Sequence, residues 1–216
     1  MTNSGQSPRI RYDEGCLAAH ALNLIGDRWA LLVVRELMFT AKRFQALRTG
    51  MPGITAAVLT GRLAQLREAG VVLHDANLGS YALTAAGRGL LPVLEALCTW
   101  ALSVPGHDPT RFISPSALMI SMGANLIPSR ATGEAVAGFD FGKEVFLMRL
   151  SAGRLETRAA PPDAPFVLKG SGNTLAMAVY GPKPLADLIA GGMIEAKGDL
   201  AAAQAFVDRF SLKPAA

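Results

Sequence analysis

Apolar residues recur at helical spacing through the first half of the chain. "CLAAHALNLIG" predicts a helix over residues 16–25, and "DRWALLVVRELMF" a second one with Asp27 as its N-cap. The apolar positions of the second cover most of its circumference, the pattern of a central, buried helix. "AKRFQALRTG" reads as a short third helix closed by Gly50. A "MPG" turn follows, and then a fourth helix, "TAAVLTGRLAQLREAG", with Thr55 as N-cap and Gly70 as stop. "VVLHDANLGSYALT" alternates about a polar tip at residues 75–80, which predicts a hairpin. "TAAGRGLLPVLEALCTWALSV" is a long last helix, with Pro92 kinking it or lying near its start.

The pattern changes after "SVPGHDPTRFISPS", residues 103–116, whose Pro, Gly and polar residues mark a linker or long turn. We divide the chain there, into residues 1–106 and 107–216. The second half opens with a helix, "SALMISMGANLI", and continues with short strand candidates, "AVAGFDFG", "EVFLMRL", "GRLETRAA" and "PFVLKG". Two helical segments, "TLAMAVYG" and "PLADLIAGG", precede a strand, "MIEAKGD", and a last helix, "LAAAQAFVDRF". Strands grouped ahead of helices predict an α+β layer.

The fourth helix raises the first functional question. At 100° per residue, Leu59, Leu63 and Leu66 share one side. The other side carries Ala57, Gly61, Ala64 and Glu68, with Thr60 and Arg67 on one flank and Arg62 and Gln65 on the other. Gly61 costs about 1 kcal/mol relative to Ala in a helix interior, and close approach of another surface would compensate. One reading is a solvated face of small residues. The order of elements supports another. A short helix, a tight turn, a second helix and a hairpin make a winged helix-turn-helix, whose second helix enters the major groove.

Composition narrows the choice. Half of the 216 residues are hydrophobic and 18% are charged, a globular balance. The net charge is only +4, but Arg28, Arg35, Lys42, Arg43, Arg48, Arg62 and Arg67 face the single acid Glu36, a local +6. Phosphate contacts require such an excess, although Arg28 and Arg35 lie on the helix that reads as buried. No apolar run suggests a leader or a membrane span, and two distant cysteines make no disulfide framework, so a cytoplasmic location is expected.

"LIGDRWALLVVREL", "RFQALR", "PGITAAVLTGRLAQLREAGVV" and "LTAAGRGLLPVLEALCTW" run in one order over roughly residues 16–102. Together they resemble the HxlR-type winged helix-turn-helix transcription regulators. The resemblance implies a homodimer, joined through the first and last helices of this half, on a palindromic operator in double-stranded DNA. The candidate DNA-contacting residues are then Lys42, Arg43, Arg48, Thr55, Ala56, Thr60, Arg62, Gln65, Asn77 and Ser80. Three features depart from the family pattern. Ala56 and Ala57 stand where polar base-reading residues are usual, leaving Thr60, Arg62, Gln65 and methyl contacts to thymine. The wing "HDANLGS" is short and lacks the usual Pro and Arg, and Leu17 replaces the Pro that commonly follows the N-terminal Cys.

That cysteine, Cys16, has two readings. It is an oxidant or electrophile sensor, with a thiolate helped by His20 at i+4, or a small apolar residue at a dimer interface. Cys98 lies in an apolar stripe and reads as core. In the second half, "GGMIEAKGDLAAAQAFVDRF" behind "APFVLKGSGNTLAMAVYG" resembles the sterol carrier protein fold. This implies an apolar tunnel holding a lipid-like effector, with Leu175, Met177, Leu185, Leu188, Ile189 and Met193 as candidate lining; the alternative is that they fill a core. His20, His74 and His107 are scattered, and there is no nucleophile elbow, phosphate loop or metal-ligand spacing. We expect no catalytic residue, metal or cofactor. The expected fold is α+β: a winged helix followed by a sterol-carrier-like domain, in a ligand-responsive regulator. The alternative function is a lipid carrier whose winged-helix half serves dimerisation or protein contacts.

Overall fold

The computed structural model describes residues 11–212; the leader-free reading of the extreme N-terminus lies partly outside them. The first half forms α1 (Leu17–Ile25), α2 (Ala30–Leu37), β1 (Lys42–Arg43), α3 (Phe44–Thr49), α4 (Ala56–Glu68), β2 (Val72–Asp75), β3 (Ser80–Leu83), α5 (Ala85–Arg88) and α6 (Leu91–Ala101). The expected last helix is two helices. The chain breaks at Gly89 and Leu90, and Pro92 then sits in the first turn of α6, where a missing N–H costs nothing. Caps follow the sequence. The Thr55 hydroxyl accepts from Val58 N–H at the start of α4, and Gly70 supplies φ +68° past its end.

Ala30, Val33, Val34 and Leu37 of α2 are buried, and so are Leu59, Leu63 and Leu66 of α4. They pack with Leu47, Val72 and Leu83 into the first core. The hairpin β2–β3 gains a third strand, Lys42–Arg43, where the sequence predicts the start of the third helix. β1 pairs antiparallel with β3, setting Lys42 opposite Tyr81 and Arg43 opposite Ser80. Two residues are too few to show a period-2 pattern.

The second half forms α7 (Pro115–Ala124), β4 (Ala135–Asp140), β5 (Val145–Ser151), β6 (Arg154–Ala159), β7 (Phe166–Lys169), α8 (Gly172–Tyr180), α9 (Leu185–Ala190), β8 (Glu195–Gly198) and α10 (Leu200–Val207). The sheet order is β6-β5-β4-β7-β8, with β4 and β7 parallel and every other pair antiparallel. Ala137, Phe139, Phe146, Met148 and Leu168 carry its inner face against residues of α7, α8, α9 and α10. Gly198 turns the chain from β8 at φ +86°, and Asp199 caps α10 by accepting from Ala202 N–H.

The expected lining residues fill this core. Leu175, Leu185 and Leu188 are sealed from solvent, and Met177 and Ile189 pack against the same cluster. Met193 lies outside it, on a surface cleft beside Lys169 and Glu195. Five of the six thus pack into the core between helices and sheet, the arrangement of a filled interior rather than of a tunnel lining. Among the described residues no single helix is long and apolar enough to cross a membrane.

The two halves meet over a buried polar cluster. Glu36 of α2 has no exposed surface. Its Oε1 accepts from Arg35 Nε at 3.0 Å and from Ser114 Oγ at 2.6 Å, and its Oε2 accepts from Lys42 Nζ at 3.1 Å. Lys42 also donates to Ser116 Oγ at 3.1 Å and pairs with Glu144 at 2.7 Å. Two cations and two carboxylates thus neutralise one another where α2, β1, α7 and the β4–β5 turn converge. Gly50 follows from this cluster, since a Cβ there would overlap the Glu36 carboxylate.

Candidate nucleic-acid interface

α3, a turn through Gly53 at φ +90°, and α4 form the helix-turn-helix, with the β2–β3 hairpin beside it. Burial of the leucine stripe turns the opposite face of α4 outward. Ala56, Ala57, Thr60, Gly61, Ala64 and Arg67 are exposed, and so is Val58. Among the described residues, a Cβ on Gly61 would meet nothing within 4 Å. No contact among them explains the glycine.

The candidate residues divide into three groups. Arg43 and Arg48 are exposed around the helix-turn-helix, as are Thr60 and Ala56 on α4. Arg43 lies at the root of the wing, in register with Ser80, which is half-buried. Asn77 is exposed at the wing tip, where its N–H is fixed by Asp75 Oδ1 at 2.9 Å; His74 stacks on Tyr81 behind it with ring centroids 4.5 Å apart. Thr55 is exposed, but its hydroxyl oxygen is occupied as the α4 cap.

The third group corrects the expectation. Lys42 is buried between Glu36 and Glu144 and presents no charge to solvent. Arg62 folds back along α4 to Gln65 and pairs with Asp27 at the α1–α2 turn. Gln65 is thereby tied to its own helix. A long side chain on the flank of a helix reaches the neighbouring turn when a carboxylate waits there, and helical-wheel angles do not reveal that. Arg35 is spent in the same way, on Glu36 and the Gly50 carbonyl. The exposed cations that remain on this stretch are Arg28, Arg43, Arg48 and Arg67. Arg67 and Val58 were missing from the candidate set; both lie on the flanks of the helical wheel, and the structure leaves both exposed.

Cys16 occupies the N-cap of α1 and is exposed. The backbone amides of Ala19 and then Ala18 hold its thiol below the usual cysteine value. The effect comes from the helix terminus rather than from His20. Burial, and then the nearby Glu95 charge, push the Cys98 thiol up.

This geometry defines a winged helix-turn-helix protein with an α+β unit packed through α7 against α2 and α6. A family model described as HxlR-like helix-turn-helix matches residues 24–107. An HTH-type transcriptional regulator of Synechocystis sp. is 33% identical over 102 residues, 45% of this chain and 76% of that protein. YvaP of Bacillus subtilis, another HTH-type transcriptional regulator, is 31% identical over 103 residues, 45% of this chain and 88% of YvaP. The solved structure of quinone-bound YodB from B. subtilis is 30% identical, covers 40% of this chain and 97% of YodB, and superposes with a TM-score of 0.38. Through its N-terminal half, the chain belongs to the HxlR-like helix-turn-helix family of transcriptional regulators.

Proposed function

We propose that the protein is a DNA-binding transcription regulator that acts as a homodimer on a palindromic operator. The observation that carries this is the α4 face: small exposed residues, a glycine with no internal neighbour, and Arg43, Arg48 and Arg67 exposed on the same substructure. Small side chains let a helix settle deep in the major groove. There, Ala56, Ala57 and Val58 would meet thymine methyl groups, with Thr60 left for hydrogen bonding. The arginines would anchor phosphates on either side.

The dimer reading rests on apolar surface. α1 exposes Leu17 and Leu22, and α6 exposes Val93, Leu97 and Trp100. On α6 these three fall on one side at i, i+4 and i+7, away from Leu91, Leu94 and Cys98. Pairing these faces would bring two reading helices to half-sites about 34 Å apart, one turn of DNA. For the second unit the filled core argues for a stabilising role rather than lipid carriage.

The test is binding to the DNA upstream of the protein's own gene and to unrelated DNA, at two salt concentrations. Tight binding to the upstream fragment alone, weakening with a log–log slope of roughly −0.9 per neutralised phosphate, is the expected result. Equal affinity for both fragments at both salts would sink the specific-regulator reading.

A further inference from the structure

A groove of about 370 Å³ runs between the two halves. Phe39 after α2 and Leu91 of α6 line it from one side, and Met119 and Gly123 of α7 from another. The edge strand β6 closes it with Leu155 to Arg158. The groove lies on the opposite side of α6 from Val93, Leu97 and Trp100, so a dimer formed through those residues leaves it open.

The floor carries one uncompensated charge. Glu95 of α6 is half-buried, and among the described residues its carboxylate has no hydrogen-bond or ion-pair partner. Loss of water raises its pKa, and nothing offsets this. At the rim, Glu156 and Arg158 pair with each other at 3.2 Å and cancel. Gly123 makes the seat. A Cβ there would stand 2.5 Å from Glu95 Oε1, so any other residue would push the Glu95 carboxylate away from the place it takes against α7. A glycine inside a helix weakens it, and its gain here is room for a carboxylate that has no hydrogen-bond or ion-pair partner among the described residues.

We propose that this groove binds a small organic cation with an apolar body, its charge seated on Glu95 and its apolar part against Phe39, Leu91 and Met119. A desolvated carboxylate flanked by apolar walls gains a partner from a cation. It gains less from a neutral ligand and is repelled by an anion.

Three probes sharing one aromatic body separate these cases: phenethylammonium, phenethyl alcohol and phenylacetate, titrated into the full-length protein by calorimetry or ligand-observed NMR. The expected result is saturable binding of phenethylammonium with a Kd on the order of 1 mM or tighter, and the alcohol about tenfold weaker. Glu95→Gln should lower the affinity for the cation by about tenfold and leave that for the alcohol unchanged. Thr157→Lys, which sets a positive charge on the facing strand, should weaken the cation as well, and its position on an edge strand spares the core. Thermal unfolding of each variant reports the fold. Absence of cation binding, equal binding of all three probes, preference for phenylacetate, or an unchanged cation affinity in folded Glu95→Gln would each overturn the proposal. No DNA is present in this experiment, so its failure is distinct from failure of the regulator reading.

Discussion

At the scale of single residues, the same side-chain chemistry is put to opposite uses. Lys42 and Arg43 are neighbours in β1, yet one is buried among carboxylates and the other faces solvent. Lys42→Met should destabilise the fold by about 3 kcal/mol in chemical denaturation, because it removes one of the two cations on the buried Glu36 and the cation paired with the half-buried Glu144. Arg43→Ala should leave stability nearly unchanged and reduce the salt slope of DNA binding by about 1. The contrast was not legible in the sequence. Ser116, which receives Lys42, lies 74 residues further along the chain, and no local periodicity reports a contact at that range. Cys16 was legible in part. Its place before a helix start was plain, but the sequence pointed to His20, whereas the amides of Ala19 and Ala18 act on the thiol. Thiolate is the reactive form, so a lowered pKa moves reactivity to lower pH. Iodoacetamide should therefore modify Cys16 ahead of Cys98, with its rate rising at lower pH than that of a free cysteine. Equal rates for the two would count against the helix-terminus effect.

At the scale of elements, α4 was the most legible part of the molecule. Its leucine stripe, its Thr55 cap and its glycine stop are local signals, and all three hold in the structure. What lay beyond local reading was the break between α5 and α6, the strand β1, and the fate of Arg62. Each depends on what the rest of the chain places alongside. The open space over Gly61 separates folding from reading. Gly61→Ala should raise stability by about 0.5–1 kcal/mol, since a Cβ there meets nothing and the helix loses less entropy. Gly61→Leu should leave thermal unfolding close to that of Gly61→Ala but lower specific DNA affinity by about tenfold or more. An affinity untouched by leucine would mean that this face does not enter the groove.

At the scale of the whole molecule, the order of helices and strands was legible in both halves, and the relation between the halves was not. Residues 103–116 read as a linker or long turn between two halves, and α7, which starts within that segment, sends Ile120 into the first core and Leu118, Met119 and Met122 into the second. From the sequence, a pairing of the first and last helices stood only as what the family resemblance implies; the exposed apolar residues of α1 and α6 are what the structure adds. Replacing Leu97 and Trp100 together with Glu should convert a dimer into a monomer in light scattering coupled to size exclusion and abolish tight operator binding. A dimer that survives both changes would place the interface elsewhere.

The cluster around Glu36 bears on how such a chain can be taken apart. Its cations come from the first half, but Ser114, Ser116 and Glu144 belong to the second. A reading domain cut after residue 106 would keep every DNA-facing residue and still lose the Ser114 hydroxyl that donates to Glu36 and the Glu144 carboxylate that pairs with Lys42. The excised piece should then melt well below the intact protein, and the intact protein should unfold in a single calorimetric transition rather than two. If it does, the winged helix here is not a portable module, and grafts or fusions that treat residue 106 as a seam will separate Lys42 from Glu144 and Glu36 from Ser114.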